Sequence, residues 1–548
     1  MSRLFDELVK KRGFSESFLR PKYENLPSPW LLPDAKKAIE RIKKAIKNKE
    51  VIILYGDYDA DGVTASTVMK RALEMAGLND VEIMLPDRFK DGYGMSEKIV
   101  ERAKEIGAKL VITVDCGSGN KEIVQELKDN DIDTIVTDHH ECAAELPKAV
   151  AVVNPKRRDI QKLIKDFDKY VDELMDLREL AGVGVAFMLV RGMVEDGMVK
   201  AGQEKWLLDL VLIGTICDSM RMNIVNRILC FYGMRVLKKT RSAGLKELIR
   251  VSKTTRINAE TIGFQIGPRL NAAGRMASAN IALNLLQTTS RTEAARLAEE
   301  LERLNTERKN QQMAAMREFE ERGVSEDPVL VTVGKWHEGI LGIIAGKLVE
   351  EYRRPAFVFS KTESGILKGS GRSFGDFSLA DALKACEGTI VGGGGHAGAA
   401  GVKVSEEKLD DFQKEMNEYY RSLNLDDQEH YLATQADLET SELGGFTLDF
   451  LEELSNLEPF GVGNEVPVFG LTHVLVLDKR LLGAEAQHLR LLIMGKDGKM
   501  MKLMAFYAPE NWRKIENGER LDILMRVEEN EWNGLRSVEG RIVDLRGC

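Results

Sequence analysis

No two cysteines in this chain are spaced as a CxxC pair, and the six present (Cys116, Cys142, Cys217, Cys230, Cys386, Cys548) are scattered over 548 residues. That pattern excludes a dense disulfide framework, argues against a structural zinc site and suits a reducing compartment. Long apolar runs are missing too, and none approaches the ~18–20 residues needed to span a bilayer. The opening MSRLFDELVKKRG lacks the apolar stretch of a secretory signal. There is no internal repeat and no low-complexity tract. The formal net charge of −9 gives no global sign of nucleic-acid binding. The expectation is a soluble, cytoplasmic protein with no membrane contact.

What is there is ordinary globular material, 43% hydrophobic and 30% charged. The length exceeds what one core can serve, so roughly two to four domains are expected. Charge is uneven along the chain. From Gly233 to Arg256, Arg235, Lys238, Lys239, Arg241, Lys246, Arg250, Lys253 and Arg256 face a single acid, Glu247. The segment reads either as a solvated helix face or as a surface that tracks phosphates.

An amphipathic helix is expected to start at Asp34 as N-cap and to run through KKAIERIKKAI. A rhythm follows. Short β-rich runs at Val51–Tyr55, Val81–Leu85, Leu110–Val114 and Thr134–Thr137 alternate with helical stretches near Thr64–Ala76, Glu97–Ile106 and Lys121–Asp129. Such alternation implies βαβ crossovers and a mostly parallel sheet. From about Ala279 to Arg322 the chain is charged and helical, with no proline and no glycine before Gly323. A second α/β pattern has strands at Val329–Val333 and Ala356–Phe359 around a helix near Ile340–Glu351, and ends in VGGGGHAGAAG. The remainder is β-rich, at Val466–Val476, Leu489–Met494, Lys502–Phe506 and Leu521–Val527.

The unusual polar residues follow the strands, the edge at which open α/β sheets bind ligands. Asp57, Asp59 and Asp61 follow the first strand, Asp115 the third, and Asp138-His139-His140 the fourth, while Asp218 ends the apolar run LVLIGTICD. DxDxDG also resembles the start of a calcium loop. Counting Asp57 as position 1, however, position 12 is Thr67 rather than Glu, and a strand precedes the loop. Converging carboxylates repel and demand protons or cations. Carboxylate and imidazole donors without thiolate suit Mn²⁺, and Mg²⁺ where oxygen dominates. The donor count exceeds the needs of one ion. Two ions ~3.5–4 Å apart would make a phosphodiester-hydrolysing centre.

Two further elements fit a phosphate substrate. LPDRFKDGYG sets Arg88 and Lys90 beside Gly92-Tyr93-Gly94, a solvated turn or an anion-binding loop. GPRLNAAGR supplies Arg269, Asn271 and Arg275, and arginine offers forked donors to phosphate. In the second α/β segment KGSGRS contributes Lys368, Arg372 and Ser373, and the glycine run surrounds His396. That run is either a tight turn or a backbone approach to an anion.

GDYDADG, the Arg-containing GYG loop, VDCG, TDHH and GTICD occur in the order of the motifs of the DHH phosphoesterase superfamily, and the chain most resembles its RecJ single-strand-specific exonucleases. LAGVGVAF, GPRLNAAGR and WHEGILGIIAGKL are also RecJ-like. SGRS and GGHAGAAG resemble the DHH-associated domain, and LEPFGVGNEVPVF with the β-rich tail resembles the family's OB-fold. The resemblance implies an α/β fold in four parts. These are a mostly parallel-sheet DHH catalytic domain with its N-terminal lead-in (1–235), a long helical connector (236–325), a smaller α/β DHH-associated substrate-binding domain (326–425) and a C-terminal β-rich OB-fold that binds nucleic acid (426–548).

It implies metal ligands at Asp57, Asp59, Asp61, Asp115, His139, His140 and Asp218. Asp115, Asp138 and His139 would be catalytic, with Asp138 either ligating or orienting a histidine. Substrate contacts would come from Arg88, Tyr93, Arg269, Asn271, Arg275, Arg372, Ser373 and His396. The implied activity is 5′→3′ degradation of single-stranded DNA to mononucleotides in DNA repair and recombination, with two divalent cations, Mn²⁺ before Mg²⁺. Phe460, Trp512 and Trp532 are candidate base stackers on the OB-fold.

The expected partners are single-stranded DNA, with a helicase and a single-strand-binding protein as further candidates, and the chain is expected to be monomeric. Two departures from the family pattern are Ser219-Met220-Arg221 after Asp218 and Ala397 in the glycine run. The alternatives are a phosphodiesterase acting on short RNA or cyclic dinucleotides, and a replication or repair scaffold bound to a helicase.

Overall fold

The β-branched runs of the first half pair as parallel strands in a computed structural model that describes residues 2–92, 94–164, 166–362, 365–425 and 434–547, and only the backbone of Trp532. Strands β1 (Ile52–Gly56), β2 (Val81–Met84), β3 (Leu110–Val114), β4 (Asp133–Thr137) and β5 (Ala151–Val153) form one sheet in the order β2-β1-β3-β4-β5. All its pairings are parallel. β1 and β3 are buried along their whole length, which is why they read as unbroken apolar runs. The helices Ala60–Met75, Lys98–Ile106 and Lys121–Asp129 make the crossovers.

LVLIGTICD forms the helix Leu208–Cys217, with Asp218 just beyond its last turn. A helix buried on nearly every side has no polar stripe, so its periodicity is silent. Asp34 does precede the helix Ala35–Asn48, but its carboxylate makes no cap bond. It accepts instead from Arg157 Nη1 at 2.5 Å and Val152 N at 3.3 Å, a cation outcompeting helix amides.

The charged stretch forms the 31-residue helix Arg291–Glu321, opened by Ser290, whose hydroxyl accepts from Glu293 N. Beyond it a second sheet has the order β6-β7-β8-β10-β9, from β6 (Leu330–Gly334), β7 (Ala356–Ser360), β8 (Ile366–Arg372), β9 (Gly392–Gly395) and β10 (Ala399–Ser405). Here the glycine run becomes a β-hairpin. A Cβ at Gly395 would lie 2.3 Å from the Ala399 carbonyl oxygen, so glycine permits the close strand approach.

The chain divides into two compact units. One, residues 27–218 and 233–432, holds both sheets and the long helix. The other combines residues 1–26, 219–232 and 433–548. Its strands β11 (Leu438–Thr440), β12 (Phe469–Leu482), β13 (His488–Met494), β14 (Met500–Ala505), β15 (Arg520–Trp532) and β16 (Leu535–Gly547) run β11-β12-β13-β14-β16-β15, and β12 also pairs with β15 to close a barrel. Phe5 and Leu8 of the helix Arg3–Arg12 are part of that barrel's core, so the lead-in packs with the barrel rather than with the first sheet. Among the described residues no helix is long and apolar enough to cross a membrane.

Candidate active site

β1 ends at Gly56 and only three residues separate it from the helix Ala60–Met75, so the intervening acids turn sharply across the sheet's carboxyl edge. Asp59 caps the helix, its Oδ1 accepting from Asp61 N at 2.9 Å and Gly62 N at 3.0 Å. Asp61, in the first turn, accepts from Gly182 N at 2.7 Å and Val183 N at 2.9 Å. Asp115 follows β3 with a left-handed backbone (φ 63°) that a non-glycine residue seldom adopts. Gly182 makes room for it: a Cβ there would be 2.4 Å from Asp115 Cβ and Oδ1.

The donors meet in three overlapping groups, Asp57–Asp59–Asp115, Asp61–His139–Asp218 and Asp115–His139–His140, each with its ligand atoms within 4.8 Å of one another. His139 Nε2 lies 3.1 Å from Asp115, 3.5 Å from Asp218 and 3.9 Å from Asp61. Asp138 is engaged differently. Its Oδ1 accepts from His139 N at 2.7 Å and His140 N at 3.1 Å and meets His140 Nδ1 at 2.8 Å, while Oδ2 accepts from Ser118 N at 2.9 Å. Both oxygens are thus engaged, and the bond to Nδ1 holds the His140 ring in place.

The electrostatics follow from burial and crowding. Burial, then the charge of Asp59, pushes Asp57 up to about 8, and the same two causes lift Asp218 to about 7. Asp61 and Asp115 are raised well above the usual carboxylate range, by burial first and neighbouring aspartates second. His139 is pushed down to about 3 by burial and by His140, leaving a neutral imidazole. Burial works against protonation of His140, yet the bond to Asp138 and its charge raise it to about 8. Asp138 itself is held low, its burial outweighed by His140 and the backbone donors.

Asp57 Oδ1, Asp115 Oδ1 and His139 Nε2 are buried with no hydrogen-bond partner among the described residues. Buried polar atoms left without partners are costly, and several facing one point are what a bound cation satisfies. The mixed oxygen and nitrogen set, without thiolate, fits Mn²⁺ or Mg²⁺.

Arginines gather beside the acids. Arg275 is pushed down to about 10, by burial first and then by Arg88, with Arg308 and Arg372 acting the same way and Asp59 opposing them. Arg88 stands 5.0 Å from the centroid of the Tyr58 ring. Arg372 ends β8 and bonds the Gly371 carbonyl at 2.8 Å, and a Cβ at Gly342 would be 2.9 Å from its Nη2. Ser373 gives its hydroxyl to the Phe377 carbonyl and its N–H to Gly398 O. His396 is exposed on the β9–β10 turn, its N–H bonded to Ala399 O, at the sheet end where Ala399 pairs with Arg372.

Other candidates lie elsewhere. Arg269 turns inward to Glu302 and the Gln265 carbonyl, tying two helices together rather than facing a phosphate. Asn271 accepts from Ala60 N at 2.8 Å and so braces the helix that carries Asp61. Tyr93 lies outside the described residues.

Sequence reasoning missed Arg308, Gly182, Gly214 and Asn154. Arg308 hides in a helix whose surface is charged throughout, so nothing sets it apart. A Cβ at Gly214 would be 2.6 Å from Asp61 Oδ1, a requirement visible only in space. Asn154 was findable. It follows the fifth strand as the acids follow theirs, and donates to Ser118 Oγ at 3.0 Å and the His140 carbonyl at 2.9 Å.

Three family models match this chain: the DHH family, N-terminal domain over residues 51–215, the DHHA1 domain over 326–422 and the RecJ OB domain over 436–544. The single-stranded-DNA-specific exonuclease RecJ of Bacillus subtilis (strain 168) is 34% identical, over 99% of this chain and 69% of its own length. The protein of the same name from Escherichia coli (strain K12) is 32% identical, over 93% of this chain and 90% of its own length. The crystal structure of RecJ in complex with Mn²⁺ from Thermus thermophilus superposes with a TM-score of 0.83 at 28% identity, covering 100% of this chain and 76% of that one. With its three domains matched by the family models and relatives 32–34% identical over more than nine-tenths of it, the chain belongs to the RecJ family of single-stranded-DNA-specific exonucleases.

Proposed function

We propose that this chain degrades single-stranded DNA from the 5′ end to mononucleotides at its Asp/His centre, holding two divalent cations with Mn²⁺ preferred to Mg²⁺. The observation that carries this reading is the convergence of partnerless carboxylate and imidazole atoms beside a group of arginines. Asp57, Asp59 and Asp115 would hold one ion and Asp61, His139 and Asp218 the other, with His140 a further donor beside Asp115 and His139. Held by these residues, divalent cations would offset the charge of the crowded acids and supply Lewis-acid chemistry toward a phosphodiester.

The chain's own residues position. Asp138 fixes His140 through Nδ1 and so leaves Nε2 as the nitrogen for coordination. His139 stays neutral and keeps a lone pair for the same purpose. Arg88, Arg275 and Arg372 grip the substrate phosphate, for which a guanidinium fork is shaped. The RecJ resemblance supports the 5′→3′ direction, and the Mn²⁺ of the Thermus thermophilus structure supports the metal. In this reading residues 27–218 supply catalysis, 236–325 connect, 326–425 bind substrate, and 426–548, whose barrel unit also takes in 1–26 and 219–232, bind the strand. The enzyme acts as a cytoplasmic monomer in repair and recombination, beside a helicase and a single-strand-binding protein. Matches over nearly the whole chain disfavour the dinucleotide and scaffold alternatives.

The test uses single-stranded DNA and RNA labelled at either end, with Mn²⁺ or Mg²⁺, beside Asp138→Ala and His139→Ala. Metal-dependent release of 5′ label from DNA, lost in both variants, is expected. Cleavage that persists in the variants sinks the assignment, and early release of 3′ label reverses the polarity.

A further inference from the structure

The second sheet has a carboxyl edge that the proposed phosphate grip leaves unused. β6 and β7 are parallel strands joined by the helix Leu341–Tyr352, an arrangement whose ligands gather beyond the strand ends. Arg372 belongs to the opposite edge, since it pairs with Ala356, the first residue of β7. Beyond Gly334 and Ser360, the last residues of the two strands, lies an open cavity of ≈ 760 Å³. Sites for small organic ligands fall in that size range.

The lining suits a phosphate. Lys335 follows β6 and Lys361 follows β7, two exposed cations against one acid, Glu406, which is 2.6 Å from Lys361. His337 Nδ1 accepts from Gly339 N at 3.1 Å, so the ring's proton is carried on Nε2, a further donor. Gln311 of the long helix adds an amide that can both donate to and accept from the edge of a base. The Trp336 ring is fixed behind them. A Cβ at Gly334 would lie 2.3 Å from it, and its Nε1 donates to Glu318 at 2.7 Å.

The same wall touches the residues that flank the metal centre. The His337 ring meets Phe89 edge to face, with centroids 5.3 Å apart and planes at 85°. Phe89 adjoins Arg88 in the chain. Two residues beyond His337, Gly339 presses on Arg275. A Cβ there would be 1.9 Å from the Arg275 carbonyl oxygen, and Arg275 Nη1 donates to Gly339 O at 3.4 Å. Segment 335–339 therefore has one side on the cavity and the other against Phe89 and Arg275, with no slack between them.

We propose that this cavity is an effector site for a nucleoside 5′-monophosphate, its phosphate held by Lys335, Lys361 and His337, and that occupancy displaces Phe89 and Arg88 and slows cleavage. The ligand's identity rests on the exonuclease reading, in which mononucleotides are the product, whereas the cavity and its contacts do not. Accumulating product would restrain the enzyme from outside the metal centre.

Calorimetry of the full chain in EDTA with thymidine 5′-monophosphate reads the site without catalysis. A Lys335→Ala/Lys361→Ala pair should weaken binding about 10–100-fold, the scale of one charge-assisted hydrogen bond. Arg372→Ala should bind as the unsubstituted chain does. Inorganic phosphate and thymidine should each bind more weakly than the nucleotide. Photo-crosslinks from 5-iodo-2′-deoxyuridine 5′-monophosphate to the unsubstituted chain should map to Trp336 or His337, a readout independent of any variant's folding. In Mn²⁺-dependent cleavage of single-stranded DNA the added nucleotide should lower kcat. The lysine pair should keep the uninhibited rate and lose that effect. Phe89→Leu should still bind the nucleotide but be slowed less.

No binding in EDTA, binding that survives the lysine pair, purely competitive inhibition, or crosslinks only elsewhere overturns the site. Inorganic phosphate binding as tightly as the nucleotide makes it a plain anion site and overturns the ligand. Full inhibition of Phe89→Leu overturns the relay. Absence of Mn²⁺-dependent cleavage by the unsubstituted chain refutes the exonuclease reading instead, and leaves the EDTA titration and the crosslinks to decide the cavity.

Discussion

Gly182 holds the place where the Asp115 carboxylate needs space, and a single methyl group tests that dependence. An added Cβ would sit 2.4 Å from Asp115 Cβ and Oδ1. Gly182→Ala is expected to weaken Mn²⁺ binding, read by calorimetry, about 10–100-fold, the usual scale for disturbing what supports a metal ligand. Gly346→Ala, where a Cβ meets nothing within 4 Å, should bind as the unsubstituted chain does.

The same acids set a pH dependence. Asp57 titrates at about 8 and Asp218 at about 7 when folded, against ~3.9 for an unfolded aspartate. Between those values the folded state holds the extra protons, so cation-free stability must fall as pH rises from about 4 to 8. Melting temperatures in EDTA should decline across that window, and the increment on adding Mn²⁺ should be largest near pH 8. A melting temperature that climbs with pH in EDTA would contradict this. All the acids involved were legible in the sequence because each follows an apolar run. Gly182 and Gly214 were not, since the need for a missing side chain is set by a residue distant along the chain.

Arg227, in the helix Ile224–Leu237, fastens segments of the barrel unit. Fully buried, it donates at 2.6 Å to the carbonyls of Phe18, Leu457 and Asn456, and its guanidinium lies 4.3 Å from the Phe18 ring centroid. Burial pushes it down to about 10, so it remains a cation at neutral pH. Arg227→Met strands three carbonyls and should cost about 3–5 kcal/mol in urea unfolding. Arg227→Lys should recover less than half, because an ammonium cannot fork to three acceptors.

Element types were largely readable where the pattern was one-dimensional. β3 and the helix Lys121–Asp129 coincide with their expected limits, since short β-branched runs between polar helices admit one interpretation. The helix Leu208–Cys217 defeated that logic because burial on nearly every side erased the contrast between its faces. The glycine run likewise gave no sign of a hairpin, having no side chains to alternate.

The order of the domains was legible, but the affiliation of residues 1–26 was not. An amphipathic helix announces that one face is covered without saying by what. Its Phe5 and Leu8 belong to the core built by Phe450, Phe469, Leu471 and their neighbours. Deleting residues 434–548 to isolate the catalytic unit should therefore leave a sticky apolar face at the other end of the chain. Light scattering should show that chain aggregating, and deletion of residues 2–26 as well should reduce the aggregation. A soluble monomer that keeps the lead-in would argue against this partnership.

The shared core also sets a schedule for synthesis. The helix Arg3–Arg12 leaves the ribosome long before β12–β16, with the whole of the other unit translated in between. At ~5–20 residues per second the delay is on the order of tens of seconds. Throughout that interval Phe5 and Leu8 have no native partner, so the nascent chain presents a site for a chaperone that the finished protein conceals.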